Sequence, residues 1–196
     1  MLTNDAYELL RQLASPIVAV TSAHAGRTNG MILDSAVRAT ISPEHPRLSV
    51  YVHKWHLTHD LIWASGRFVA HLLHRDQFDL VHRLGFRSGR KVADKLEGIP
   101  HRLGRGGVPI LADCHAAFEC EVLNTMAAGP ATLLLGEIVA THAGTAGPLL
   151  TAEYFRAHLP EAWREEFLQN YREAQERIRG LAAVTDVRRW GGTTPP

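Results

Sequence analysis

Cysteine is scarce. Cys114 and Cys120 are the only two in 196 residues, and their spacing fits neither a CxxC pair nor the disulfide framework of a small exported domain. A reducing, cytoplasmic setting is the expectation. Charge excess is also missing: 21 Lys and Arg stand against 20 Asp and Glu, scattered through the chain, which argues against a nucleic-acid partner. No apolar run approaches the roughly 20 residues that a membrane-spanning helix needs. The opening MLTNDAYELLRQLAS carries Asp5 and Glu8 where a secretory leader is basic and then apolar. There is no GxGxxG, no strict strand–helix alternation and no internal repeat, so nothing points to a Rossmann sheet. Twelve histidines invite a metal reading, but His56 with His59, and His71 with His74, lack a third ligand at motif spacing, and no metal is expected.

What is present is a chain of strand-like segments. Residues 4–14 have helical spacing and stop at Pro16. The β-branched run from Ile17 to Ser22, a turn at His24-Ala25-Gly26-Arg27 and the extended segment 28–42 predict a hairpin, with a bulge or bend at Gly30. Residues 48–53 alternate, Leu48, Val50 and Val52 on one face and Ser49, Tyr51 and His53 on the other. A short helix follows near Leu57–Ala64, then a strand over 67–73 and a helix over 76–84. The Gly-rich, basic stretch GFRSGRKVADKLEGIPHRLGRGG reads as one long connection, with Arg87, Ser88, Arg90 and Lys91 available for anions. Segments 116–126 and 131–142 are the last strands, joined at Gly129-Pro130, with Glu119 and Glu121 expected at the solvent side. Beyond Pro160, Trp163, Phe167, Tyr171, Ala174, Ile178 and Leu181 mark one face of a long helix, and the tail RRWGGTTPP is expected to be loose. The fold class is mainly β with peripheral α: an antiparallel barrel with helices outside it and one C-terminal helix.

The stretch 27–60 is the candidate site: two strands feed a helix start that carries Lys54, Thr58 and His59, a setting in which a cation, a hydroxyl and free backbone N–H groups could hold a phosphate. From the residues alone, the same three read first as a solvated helix start with a local cap, Asp34 as readily as a strand residue paired with Arg27 or Arg38, and Met31 and Ser35 as ordinary strand or core positions.

The pieces SPIVAVTS, GRTNGMILDSAVRATISP, RLSVYVHKWHLTHDLIWASGRFVAHLL, DQFDLVHRLGFRSGRKVADKL and PILADCHAAFECEVLNT followed by LLLGEIVA occur in order over roughly residues 13–142. Together they resemble the flavin reductase-like proteins with an FMN-binding split β-barrel. The resemblance implies a barrel domain over 1–150 with a helical extension over 151–196, a homodimer, non-covalent FMN (or FAD), and hydride transfer from NAD(P)H to the flavin, which would then serve free flavin, oxygen or a partner monooxygenase. By position it implies that Met31, Ile32, Leu33, Asp34, Ser35 and Ala36 run along the flavin ring, that Val50, Tyr51, Val52 and His53 line it from the next strand, and that Lys54, Thr58 and His59 hold the phosphate. No nucleophile or triad is needed, because the cofactor carries the chemistry.

Two departures are visible. Where the family pattern has Thr and two Ser after the Met, this chain has Ile32, Asp34 and Ser35. Where NAD(P)H-dependent members carry a Gly-Asp-His turn, it has Gly129-Pro130-Ala131, with His115 or His142 as possible substitutes for the missing imidazole. A flavin-binding electron carrier that does not react with NAD(P)H is therefore the alternative, and a barrel for another planar ligand such as a deazaflavin or haem is a third.

Overall fold

The computed structural model describes Leu13 and residues 15–182. The expected helix over 4–14 and the expected loose tail lie outside the described residues. The strands are β1 (Val18–His24), β2 (Arg27–Leu33), β3 (Ala36–Arg38), β4 (Arg47–His53), β5 (Arg67–Leu72), β6 (His101–Leu103), β7 (Pro109–Leu111), β8 (Ala116–Ala128) and β9 (Ala131–Ala143). The α-helices are α1 (Leu57–Ser65), α2 (Phe78–Gly85), α3 (Ala152–Ala157) and α4 (Glu161–Ala182). Seven strands form one antiparallel sheet in the order β2-β1-β5-β8-β9-β4-β3, and β6 pairs with β7 apart from it.

The sheet curls because its apolar residues converge on one interior. Val18 and Val20 of β1, Met31 and Leu33 of β2, Leu48, Val50 and Val52 of β4, Phe68 and Ala70 of β5, Cys120 and Leu134 pack in a single cluster that Ile62 of α1 also enters. Strands at opposite ends of the order can share a core only if the sheet rolls toward closure. The result is a split β-barrel. Burial of each large side chain contributes about 1.5–3 kcal/mol, so this cluster is the main source of stability. β1 is buried on both faces, since Ala19, with Ile17 just before the strand, joins a second cluster with Leu73, Val81, Leu84, Leu96 and Phe155, where α2 and α3 cover the barrel.

The first hairpin turns at Ala25 and Gly26, both with positive φ. The second turns at Gly129, where φ is 67°. Gly30, however, is neither bulged nor bent: it pairs in register with Thr21. Its lack of a side chain serves packing, because a Cβ there would meet Leu84 Cδ2 at 3.1 Å. The break in segment 28–42 falls at Asp34-Ser35 instead, and residues 39–46 leave the sheet. Nor is 85–107 a bare connection. β6 and a 3-10 turn at Arg105–Gly107 lie within it, and with β7 they make a flap over β1, β5 and β8, where Val108 and Ile110 pack on Ala23, Val69 and Ala117. That flap corrects the expectation for Glu119, which is 6% exposed, accepts the Arg105 N–H at 2.7 Å and bonds His142 Nε2 at 2.7 Å. Glu121 does face outward, against Arg67 at 3.3 Å. Both cysteines are buried as small apolar groups, and burial pushes the Cys120 thiol up to about 12. No described helix is long and apolar enough to cross a membrane.

Candidate functional site

The β2–β3 bend and the end of β4 lie side by side, as the pairing of Ala36 with Val50 requires. The period of two then sorts the predicted residues. Met31, Leu33, Val50 and Val52 point into the barrel core. Ile32 turns the other way, toward the helix-covered cluster, with Gly85 against it. Asp34 and Tyr51 are exposed, Ser35 donates to the Tyr51 carbonyl at 3.3 Å, and His53 is half-buried. Asp34, Ser35, Tyr51 and His53 thus share one outer surface, and Asp34 is close enough to His53 for its charge to favour the protonated ring. Burial outweighs that and lowers the His53 pKa, with the Pro130 carbonyl opposing it. Ala36 belongs elsewhere, on a mostly apolar cavity of about 530 Å³ whose walls include Val18, Leu48, Leu72 and Phe118. That cavity opens at the Arg47 end of β4, roughly 20 Å along the strand from His53.

The helix start after β4 divides the other three predictions. Lys54 is exposed, its backbone N–H donating to the Pro130 carbonyl at 2.9 Å. Thr58 is fully buried and accepts from Asn29 Nδ2 at 2.8 Å, and His59 Nε2 bonds Thr132 Oγ1 at 2.9 Å. Thr58 and His59 therefore fasten α1 to β2 and β9, while Lys54 remains available. Burial lowers the His59 pKa, against the pull of Asp60.

A set of residues not predicted for this site surrounds the same helix start. His56 is the N-cap of α1 and makes no capping bond with its side chain, so the first N–H groups of the helix have no side-chain acceptor there. Trp55 stacks on His53 with centroids 4.2 Å apart and ring planes 11° from parallel. Arg90, from the long loop, donates to the Trp55 carbonyl at 2.8 Å and to Asp60 Oδ2 at 2.7 Å. Lys95 is 4% exposed, and its Nζ donates to the Leu84 carbonyl with no carboxylate paired to it among the described residues. Burial alone brings its pKa down to about 8. His56 is pushed down to about 4 by burial and then by the positive charges of His53, Lys95, Arg177 and Arg90. Among the described residues Asp60 is the carboxylate that pairs with these groups, through Arg90 at 2.7 Å and His59 at 3.7 Å. The local chemistry suits an anion, at a helix N-terminus that favours negative charge.

The sequence pattern points near this set and misses its centre. Arg90, one of the four loop residues available for anions, latches the loop to Trp55 and Asp60. Lys95 sits in a segment that looks solvated, and its only hint is the apolar neighbour Leu96, buried in the second cluster. His142 and His115 lie at the far end of the β8–β9 hairpin, Ala117 facing His142, so neither reaches the Gly129 turn. His53 does, as the cross-strand partner of Ala131. Among the described residues no three His, Cys, Asp or Glu side chains converge as metal ligands.

Comparison with known proteins agrees with this architecture. The model of the flavin reductase like domain matches residues 10–161. A high molecular weight rubredoxin of Moorella thermoacetica is 31% identical over 148 residues, 74% of this chain and 63% of that protein. The reductase component of 4-nitrophenol 4-monooxygenase/4-nitrocatechol 2-monooxygenase from Rhodococcus opacus is 29% identical over 143 residues, 73% of this chain and 72% of that protein. Among solved structures, an FMN-binding protein from Thermus thermophilus with bound 1-cyclohex-2-enone superposes with a TM-score of 0.60 at 32% identity, covering 66% of this chain and 71% of that one. The chain spans 39 to 63% of the length of three curated relatives that it matches. With the family model covering most of a split barrel of this topology, the chain belongs to the flavin reductase like domain family.

Proposed function

We propose that the protein is an FMN-binding oxidoreductase that accepts hydride from NAD(P)H and supplies reduced flavin to an acceptor or a partner monooxygenase. The observation that carries this reading is the cation cluster at the uncapped start of α1, where Lys95 is buried near His56, Arg90 and Arg177 with no carboxylate paired to it among the described residues. A phosphate dianion supplies the missing charge. FMN, when bound, supplies the redox chemistry. The chain's own groups do the rest: Lys54, Lys95 and the α1 N–H groups hold the phosphate, and the Asp34–Ser35 bend with Tyr51 and His53 offers a polar and aromatic wall for a planar ring. The side chains of Met31, Leu33, Val50 and Val52 support that wall from behind. FAD, which also carries phosphate, is a second possible ligand of the same slot.

The same proposal includes a homodimer, with Tyr51, Leu133 and Met126, cross-strand neighbours on one outer face of β4, β9 and β8, as its apolar contact. Tyr51 and Met126 are 39% and 53% exposed in one chain. It also divides the chain into a barrel unit over 1–150 and a helical extension over 151–196. Titration with FMN and riboflavin, followed by NADH and NADPH oxidation in the presence of excess FMN, tests the reading. Absence of flavin binding at micromolar concentration refutes the cofactor, and binding without oxidation of either nucleotide refutes the reaction.

The alternative, an electron carrier inert to NAD(P)H, is favoured by one observation: the Gly129-Pro130-Ala131 turn carries no ionisable side chain. Against it stands His53, which brings an imidazole to that turn from the neighbouring strand. Loss of nucleotide oxidation in His53→Ala, with FMN binding retained, supports the reductase reading.

A further inference from the structure

α4 continues well beyond the stretch that the family model matches, which ends at residue 161. Its first turns are anchored on the barrel's helical cover. The Trp163 ring stacks on His82 at 4.4 Å, Phe167 lies 5.8 Å from Phe86 and 6.1 Å from Phe155, and Asn170 Nδ2 donates to the Phe86 carbonyl at 3.2 Å. Ten residues past Phe167, a rise of about 15 Å, the helix delivers Arg177 to the start of α1. There its guanidinium stands over the Trp55 ring at 5.7 Å, and Trp55 is itself stacked on His53.

That placement is unfavourable by itself. Arg177 comes to a neighbourhood already holding Lys95, Arg90 and His56, and its charge is one of those that disfavour a protonated His56. Among the described residues it pairs with no carboxylate. The aromatic contact offsets part of the repulsion, but a cation–π contact needs no further cations nearby. An anion between them turns the same geometry into an attractive one, and a guanidinium presents the forked donors that match phosphate oxygens.

Granted a flavin phosphate at this end of the slot, as proposed above, we propose that Arg177 binds that phosphate, so that the C-terminal helix as well as the barrel sets the preference for FMN over riboflavin. Riboflavin shares the ring and ribityl chain but lacks the phosphate. The affinities of the full chain and of Arg177→Ala, Arg177→Gln and Arg177→Lys for FMN and for riboflavin are measured by fluorescence titration, with thermal melting as a folding check. The expected result is an FMN affinity about tenfold lower in Arg177→Ala and Arg177→Gln, an intermediate value in Arg177→Lys and an unchanged riboflavin affinity. Unchanged FMN affinity in the folded variants, or an equal loss for both ligands, overturns the role of Arg177 and reduces its contact with Trp55 to helix docking. A native chain that binds FMN no better than riboflavin overturns the phosphate reading itself, before any variant is compared.

Discussion

Lys95 offers a test in which stability and binding move in opposite directions. Its ammonium is almost fully enclosed, and burial brings its pKa from 10.5 to about 8. A difference of that size between folded and unfolded states corresponds to about 3 kcal/mol against the folded protein at neutral pH, where both states are protonated. The sign follows from the depressed value: as pH rises from 8 toward 10.5, the folded chain sheds the proton while the unfolded chain keeps it, and the penalty fades. Lys95→Met therefore raises the stability of the flavin-free protein at pH 7 by about 1–3 kcal/mol, the lower figure allowing for the Leu84 carbonyl left without its donor. Binding goes the other way. A phosphate dianion needs the charged form, so FMN affinity in the native protein is level up to about pH 7 and falls about tenfold between pH 7 and pH 9. Lys95→Met binds FMN about 10- to 100-fold more weakly at pH 7, the range of a charge-assisted hydrogen bond, and shows no such fall. Urea denaturation gives the stability, and FMN titration at pH 7, 8 and 9, with riboflavin as control, gives the affinity. A variant that is less stable and binds FMN as well as the native chain refutes the reasoning, leaving Lys95 as a tether for Leu84.

His71 is fully buried, its Nδ1–H donating to the Ala19 carbonyl and its Nε2 accepting the Leu111 N–H, both at 3.1 Å, and burial holds its pKa down to about 4. That depressed pKa makes stability full above about pH 6.5 and diminishing as pH falls toward 4, by about 2 kcal/mol at pH 5. Urea melts of native protein and His71→Gln at pH 7.5 and 5 should show the variant with the shallower pH dependence; equal slopes dismiss His71 as the source. Glu119→Ala removes the acceptor of the Arg105 N–H and the partner of His142. It should cost about 1–3 kcal/mol and speed amide exchange across residues 101–111, and protection unchanged there would count against the flap. Arg90→Ala cuts the loop's bonds to Trp55 and Asp60, so limited proteolysis should become faster within 87–97 while the barrel's melting temperature shifts little.

Where local patterning and tertiary structure agree, the fold was legible. The alternation of Leu48, Val50 and Val52 against Ser49, Tyr51 and His53 states which face of β4 is buried, and the run from Leu133 to Val139, apolar but for Glu137, marks a strand shielded by its neighbours. The stripe through Trp163 and Phe167 anticipated the packing of α4. What failed was short or non-local. β6 and β7 are three residues each and show no period to detect. Glu119 looked exposed because its strand alternates, yet the flap that covers it comes from a segment whose Gly and Arg content reads as solvent-facing. Gly30 looked like a bend because a glycine within a strand usually marks one, whereas its cause is a leucine pair more than 50 positions away in sequence.

The candidate site shows the same boundary more sharply. A strand's period of two means that Val50 and Val52 cannot share a face with Tyr51 and His53, so the alternation alone was enough to split the predicted lining into a wall and its support. The cations were another matter. Lys95, Arg90 and Arg177 come from a loop and from a helix far along the chain, and nothing local distinguishes them from solvated charges. Their signature is collective: several positive groups converge at a helix start with no side-chain cap, and burial, with those charges added, drives His56 far below its ordinary pKa. Such a cluster destabilises the chain that carries it unless an anion arrives. The unfavourable electrostatics of the flavin-free fold and the affinity for a phosphorylated ligand are two readings of one arrangement, which is why changing Lys95 should strengthen the first and weaken the second.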